Sequence, residues 1–279
     1  TEKSGDNSLF INEVFSLIDE EYVDTVNMND LQMRAINNVL ESMDPHSEYI
    51  KPEILNEVNE NLQGSFHGIG VSFRIEKDTI TILNTIKGGP SEKVGLMAGD
   101  RIIYVGDSLV AGNKVTNKTA MSLLKGERGT KINVKIKRRG IDELLGFTIT
   151  RDVIPTHSVD VAYMIDEEIG FIKMTKFSAT THKEFVKALK ELRSEGMTKL
   201  VLDLRGNTGG YLGEAVGIAD EMLKDNNLIV YTEGEHRDRS YIFSRHKGLW
   251  EDNDVAVLID EGSASASEIV AGALQDNDR

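Results

Sequence analysis

The sequence predicts a multidomain chain of α/β and β class: a helical N-terminal segment at 1–64, a small β domain at 65–155 and an α/β layer at 156–279. Three observations carry this. At roughly 100–200 residues per domain, 279 residues hold two or three folding units. Apolar residues keep helical spacing up to about residue 64 and then switch to short β-like runs. Beyond Pro155, apolar runs alternate with amphipathic stretches, as strands joined by crossover helices do.

In the first segment, Phe10, Val14, Leu17 and Ile18 share one helical stripe, and Leu31, Ile36, Val39 and Leu40 share another. Asp44-Pro45 stops the second helix, because the residue before proline is pushed out of the α region. Pro52 suits the first turn of a third helix ending near Gly64. So short a segment is expected to pack on the β domain after it. Its helices are also a candidate homo-oligomer contact.

From Gly68 the β runs are 71–73, 80–83, 101–105, 132–136 and 147–149, with a short helix at 121–124, and glycines at 88, 89, 99 and 106 punctuate them. They describe a small, partly open barrel. Residues 111–140 hold nine Lys or Arg and one acid, Glu127, in an otherwise acidic chain. The period-2 alternation from Lys131 to Lys137 reads that charge as a solvated strand face.

In the last region, 169–174, 199–204, 228–231 and 255–259 are continuous apolar runs, read as strands covered on both faces. Helices are expected over 183–194, 213–224 and 267–276. Residues 233–247, together with Trp250, read as a mobile surface excursion near the site. An α/β domain rarely ends on a helix with a polar stub, so further chain is expected beyond Arg279.

Composition excludes several functions. With 46 acidic against 32 basic residues the net charge is −14, which disfavours nucleic acid and anionic membranes as partners. There is no cysteine, hence no disulfide, thiol nucleophile or Cys-based zinc site. No apolar run nears the roughly 20 residues that span a bilayer. The opening residues lack a signal-peptide core, so any targeting segment is expected upstream or removed. Six histidines show no H-E-x-x-H pairing, so no metal and no cofactor is expected.

Three constellations carry chemistry. Glu261-Gly262-Ser263-Ala264-Ser265-Ala266-Ser267-Glu268 sits where a strand meets a helix. A serine there lies among free N–H groups and positive dipole, as a nucleophile forming an oxyanion requires. The spacing of Ser265 and Glu268 is equally that of a plain capping box. Asp203-Leu204-Arg205-Gly206-Asn207-Thr208-Gly209-Gly210 follows a strand and leaves backbone amides open at the carboxyl end of the sheet. Asp203 and Arg205 read as a salt bridge locking that loop. Phe66-His67-Gly68-Ile69-Gly70-Val71 is a glycine turn into an edge strand, able to hold a peptide carboxylate while the peptide adds as a strand, and taken alone it reads equally as a plain hairpin turn.

G-I-G-V at 68–71, G-P-S-x-x-x-G-L-x-x-G-D-R-I from Gly89 and L-K-G-E-R-G-T from Leu124 resemble a PDZ domain of bacterial proteases. Met43-Asp44-Pro45-His46-Ser47-Glu48-Tyr49, D-L-R-x-N-x-G-G and G-S-A-S-A-S-E-I-x-A-G-A-L-Q-D resemble the carboxy-terminal processing proteases, or tail-specific proteases, of serine peptidase family S41. The resemblance implies a ClpP/crotonase-like core with an inserted PDZ domain. It makes Ser265 the nucleophile and the amides of Ala266 and of Gly209 or Gly210 the oxyanion hole. His67, Gly68, Ile69, Gly70 and Val71 become the carboxylate-binding turn. Protein or peptide substrates with free C-termini are the implied partners, and the bacterial periplasm or cell envelope the implied location.

The family's base is a lysine in a G-K-G context downstream of the nucleophile, and no such context occurs before Arg279. Residues 1–279 alone are therefore expected to be inactive or nearly so. A triad through His182, His236 or His246 stays open at this level. So do two other readings, an inactive peptide-binding scaffold and a crotonase-type acyl-CoA enzyme.

Overall fold

The computed structural model describes residues 7–44 and 47–279; Pro45 and His46, named above for the helix stop and the 43–49 motif, lie outside the described residues. The chain divides into two compact units, Thr1–Glu57 and Val58–Arg279.

Helices α1 (Asn7–Glu21), α2 (Met28–Glu41) and α3 (Pro52–Gln63) come first. Asn27 caps α2, its side chain accepting the N–H groups of Asn29 and Asp30 at 3.1 and 3.3 Å. The apolar stripes are present, but Phe10 and Leu17 are 69% and 61% exposed and no α2 residue is buried. Helical spacing was legible in the sequence.

The β domain comprises β1 (Ser65–Gly68), β2 (Val71–Ile75), β3 (Ile80–Thr85), α4 (Pro90–Lys93), β4 (Arg101–Val105), β5 (Ser108–Leu109), α5 (Asn117–Leu124), β6 (Lys131–Lys137), β7 (Leu145–Thr150) and β8 (Asp152–Pro155). Its antiparallel sheet runs β2-β3-β4-β6-β7, with β5 on β4, so β2 is an edge. Ile132, Val134 and Ile136 of β6 enter the core while Lys131, Asn133 and Lys135 face solvent, so the basic stretch is a solvated face here. Strands β1 and β8 pair with each other, Ser65 opposite Pro155, and bring the two ends of this domain together.

The rest is β9 (Val159–Met164), β10 (Ile169–Met174), α6 (Thr181–Ser194), β11 (Lys199–Asp203), α7 (Leu212–Asp220), β12 (Leu228–Gly234), β13 (Arg237–Phe243), β14 (Asp254–Leu258) and α8 (Ala266–Asp276). One sheet runs β14-β11-β10-β9, with β10, β11 and β14 parallel and β9 antiparallel. Ile172, Met174, Leu200 and Leu202 pack with Phe185 and Leu189 of α6, Ile218 of α7 and Val270 of α8 in one core. Each such buried side chain stabilises by about 1.5–3 kcal/mol.

Three expectations for this region are corrected. The sheet is tightly covered on one face only: β10 alternates buried Gly170, Ile172 and Met174 with half-buried Ile169, Phe171 and Lys173. The runs look continuous because the open face is also apolar, with Tyr163, Phe171, Val201 and Ala256 in register across all four strands. Residues 228–231 are not in this sheet; they belong to β12, which pairs with β13 as a separate hairpin. Most of 233–247 is therefore strand rather than mobile excursion. Trp250 is fully buried, its indole N–H donating to the Asp254 carbonyl at 3.1 Å. Among the described residues no helix is long and apolar enough to cross a membrane.

Candidate active site

Two loops leave the carboxyl ends of neighbouring parallel strands, β11 and β14, and meet. The Leu204 N–H donates to the Leu258 carbonyl at 2.9 Å, extending the pairing one step past the strands. Beyond it, side chains replace strand pairing. Asp260 Oδ1 accepts the N–H groups of Gly206 and Gly262 at 2.8 and 3.0 Å. These bonds, led by the one from Gly206, hold its carboxyl below the usual range. Ser263 Oγ donates to the Leu204 carbonyl at 2.9 Å.

At the root of the first loop, Asp203 is buried and gripped by Arg205 through Nε at 2.9 Å and Nη2 at 2.8 Å. That charge-assisted pair lowers the Asp203 pKa despite its burial. Arg205 is half exposed, so the pair acts as the lock the sequence suggests, on the rim of the loop.

The second loop turns into α8 at Ser265, whose backbone sits at φ 54° and ψ −112°. An ordinary N-cap has an extended backbone. A non-glycine residue held at positive φ on a strand-to-helix turn costs of order 1–3 kcal/mol, and such strain clusters at reactive sites. Ser265 and Glu268 do form the capping-box pair; the Glu268 carboxylate takes the Ser265 N–H at 2.6 Å, while the hydroxyl side lacks a close bond of its own. Ser265 is exposed, whereas its neighbours Ala266 and Ser267 are buried.

Gly209 lies directly against this turn. A methyl group placed on it would come within 2.8 Å of Ser265 Cβ and 3.0 Å of the Ala266 nitrogen. Its φ of 102° also requires glycine. Gly210 passes closer still to the backbone of Phe177, which donates its N–H to the Gly209 carbonyl at 2.9 Å and accepts that of Tyr211 at 2.8 Å. The amides of 209 and 210 differ. The Gly209 N–H donates to Asn207 Oδ1 at 3.0 Å, whereas those of Gly210 and Ala266 have no hydrogen-bond partner among the described residues. An exposed hydroxyl thus stands at a corner with two unspent backbone donors, the materials for stabilising an oxyanion.

Asn207, fully buried, is the residue that sequence reasoning did not single out. Its place in D-L-R-x-N-x-G-G was the available signal. The histidines are engaged elsewhere: His182 Nε2 with Glu221 Oε1 at 3.0 Å and His246 Nδ1 with Asp220 Oδ2 at 2.9 Å. His236 lies in the β12–β13 turn. Among the described residues no histidine or lysine is hydrogen-bonded to the Ser265 hydroxyl, and no group of three His, Asp or Glu is placed to hold a metal ion.

In the β domain, His67 and Gly68 end β1, Ile69 and Gly70 make the turn, and Val71 starts the edge strand β2. Gly70 has φ 72°. The Ile69 carbonyl accepts Ser91 Oγ at 2.6 Å and the Ser91 N–H at 3.0 Å; the Gly70 carbonyl accepts the Ile86 N–H at 2.9 Å. With these carbonyls occupied, the N–H groups of Ile69 and Gly70 have no partner among the described residues. His67 itself is exposed.

Residues 168–279 match the family model of peptidase family S41, and residues 68–149 match that of the PDZ domain. The chain is 35% identical over 272 residues to a carboxy-terminal-processing protease of Bartonella bacilliformis, covering 96% of this chain and 62% of that protein. It is 34% identical over 271 residues to carboxy-terminal processing protease CtpB of Bacillus subtilis, covering 95% of this chain and 55% of CtpB. The chain therefore spans about six-tenths of the length of the curated relatives it matches. Among solved structures, the photosystem II D1 C-terminal processing protease aligns with a TM-score of 0.46 and 24% identity, over 98% of this chain and 79% of its own.

Proposed function

The chain belongs to peptidase family S41 and carries a PDZ domain ahead of its peptidase core, and from that membership we propose a serine endopeptidase of the carboxy-terminal processing type. The observation that carries the proposal is Ser265, exposed and strained at φ 54° beside the glycine corner at 209–210. In this reading Ser265 Oγ attacks the scissile carbonyl carbon while a base takes its proton. The N–H groups of Ala266 and Gly210 stabilise the oxyanion, since that of Gly209 is engaged. Collapse expels the amine, which leaves with the proton, and water then hydrolyses the acyl-enzyme.

The base is part of the same proposal: a lysine amine kept neutral by burial, supplied by a segment outside these 279 residues. The turn from His67 to Val71 captures the substrate's terminal carboxylate on the amides of Ile69 and Gly70, and the substrate extends along the β2 edge. Holding the chain end there raises the effective concentration of upstream bonds at Ser265.

The test is cleavage of a peptide with a free C-terminus by the protein in its natural length. Ser265→Ala is expected to lower kcat by at least about 10³-fold with unfolding unchanged. Amidating the peptide's C-terminus is expected to lower kcat/KM by roughly 10-fold. Undiminished cleavage by Ser265→Ala would refute the assignment of the nucleophile.

A further inference from the structure

We propose that Asn207 is a positioning residue for the reaction proposed above, fixing the 209–210 peptide against the turn that carries Ser265. The inference rests on that reading for its chemistry, but its geometry is independent of it. Asn207 is fully buried and every polar group it owns is spent on holding loops together. Its N–H donates to the Leu204 carbonyl at 3.1 Å, which curls the first loop back on β11. Its carbonyl accepts the Ala264 N–H at 3.1 Å and Ser267 Oγ at 2.8 Å, the residues on either side of Ser265. Its side chain donates through Nδ2 to the Met174 carbonyl at 3.0 Å, at the end of β10. Through Oδ1 it accepts the Gly209 N–H at 3.0 Å. One residue thus ties the ends of β10 and β11, the nucleophile turn and the glycine corner.

The reason this matters is stiffness. Gly209 and Gly210 are the two positions of the corner with the widest backbone freedom, at φ 102° and 145°. An oxyanion hole works only if its donors are already in place when charge develops. A carboxamide can hold both sides at once, as donor to one carbonyl through its nitrogen and acceptor from one amide through its oxygen; an ionised carboxylate has no donor, and a hydroxyl would have to serve both partners from a single oxygen.

The experiment has two readouts. In steady-state cleavage by the natural-length protein, Asn207→Ala is expected to lower kcat by roughly 10- to 100-fold with KM within about threefold, the mark of a defect confined to the transition state. Asn277→Ala is the control. Its side chain also donates to two backbone carbonyls, of Leu228 and Ala273, at the far end of α8, so it removes comparable bonding away from the corner. It is expected to keep kcat within about twofold.

In amide hydrogen exchange on glycine-labelled protein, Asn207→Ala is expected to speed exchange at Gly209 by roughly 10-fold, with PDZ glycines unchanged. Wild-type kcat in Asn207→Ala, an equal loss in Asn277→Ala, or a loss carried by KM would overturn the positioning role. Unchanged exchange at Gly209 would overturn it whether or not the protein cleaves. Cleavage surviving Ser265→Ala would instead sink the hydrolase reading, leaving the exchange result to decide the clamp alone.

Discussion

The molecule builds two glycine turns that expose backbone N–H groups, one at 209–210 beside Ser265 and one at 69–70 ahead of β2, and it braces them differently. At the first, three side chains cross between loops, those of Asp260, Ser263 and Ser267, and the Asn207 side chain braces the corner from within its own loop and against the end of β10. At the second, two residues suffice, with Ser91 and Ile86 capping the carbonyls of Ile69 and Gly70. Each region also holds an aspartate 1% exposed in a two-point grip from arginine. Asp203 is held by Arg205 two residues on, and Asp100 by Arg138 thirty-eight residues on, at 2.8 and 2.7 Å. The local pair locks one loop; the distant pair ties the loop before β4 to the residue after β6. In the proposed reading the difference follows from the tasks: a corner that stabilises developing charge demands donors held to tenths of an ångström, whereas a turn that receives varied chain ends needs only its carbonyls kept out of the way.

The largest expected effects come from breaking the stiffer turn. Gly209→Ala forces an alanine to φ 102° and drives its methyl into the Ala264 carbonyl and Ser265 Cβ, both at 2.8 Å. Strain and overpacking together predict a stability loss of about 2–4 kcal/mol. Cleavage is expected to fall by at least about 100-fold. Gly210→Ala meets the backbone of Phe177 instead and is expected to match it. Chemical denaturation with peptide cleavage checks both, and an active, stable Gly209→Ala would show that the corner is loose.

Gly70→Ala sharpens the contrast. Here a methyl meets Ile154 Cδ1 at 3.0 Å, the tip of a flexible side chain that can yield, and the ring of Pro90 only at 3.3 Å, so the main cost is the φ of 72°. That amounts to about 1–2 kcal/mol. Because the turn relieves that strain by leaving the binding geometry, isothermal titration with a free-carboxylate peptide is expected to show affinity falling roughly 5- to 30-fold, the ratio that free energy converts to. Gly209→Ala is expected to leave that affinity within about twofold, because the sites do not share atoms. Equal losses of affinity in both variants would mean the two turns are not separable.

What the sequence disclosed was local chemistry. The Lys–Ile alternation of β6, the glycines of both turns and the serine at the head of α8 each declare themselves within a few residues. What stayed hidden depends on partners far along the chain. Asn207 bonds Met174 and Ser267, 33 and 60 residues away, and nothing in its own neighbourhood announces that. The run at 228–231 looked like a sheet strand because Leu228 and Ile229 are apolar, yet Ile229 packs into the helical core while the strand pairs with β13. Trp250 lies among charged residues and so looked exposed; its indole is buried in the same core cluster as Met222 and Leu223. The open face of the sheet was unreadable for a simpler reason, that both its faces are apolar.

The smallest effect expected is also the one that tests how much of the stiffness is electrostatic. Asp203 has its pKa lowered chiefly by the hydrogen bond from the Arg205 side chain, aided by the Arg205 N–H and by Lys173, while burial opposes the shift. A carboxyl titrating lower in the folded state binds fewer protons there than in the unfolded chain. Its stabilisation is therefore complete above the unfolded carboxylate pKa and is lost as pH falls through the folded one. Asp203→Asn removes the charge but keeps a hydrogen-bonding side chain. At pH 7 the variant is expected to be about 1 kcal/mol less stable, the low end for a charged hydrogen bond because Arg205 is 51% exposed and water screens it. Denaturant titrations repeated from pH 7 down to about 2 are expected to narrow the gap between the two proteins progressively at the acid end. A gap that persists there would assign the grip on the loop to geometry alone, and the stiff turn would then owe its shape to Asn207 and its neighbours without help from charge.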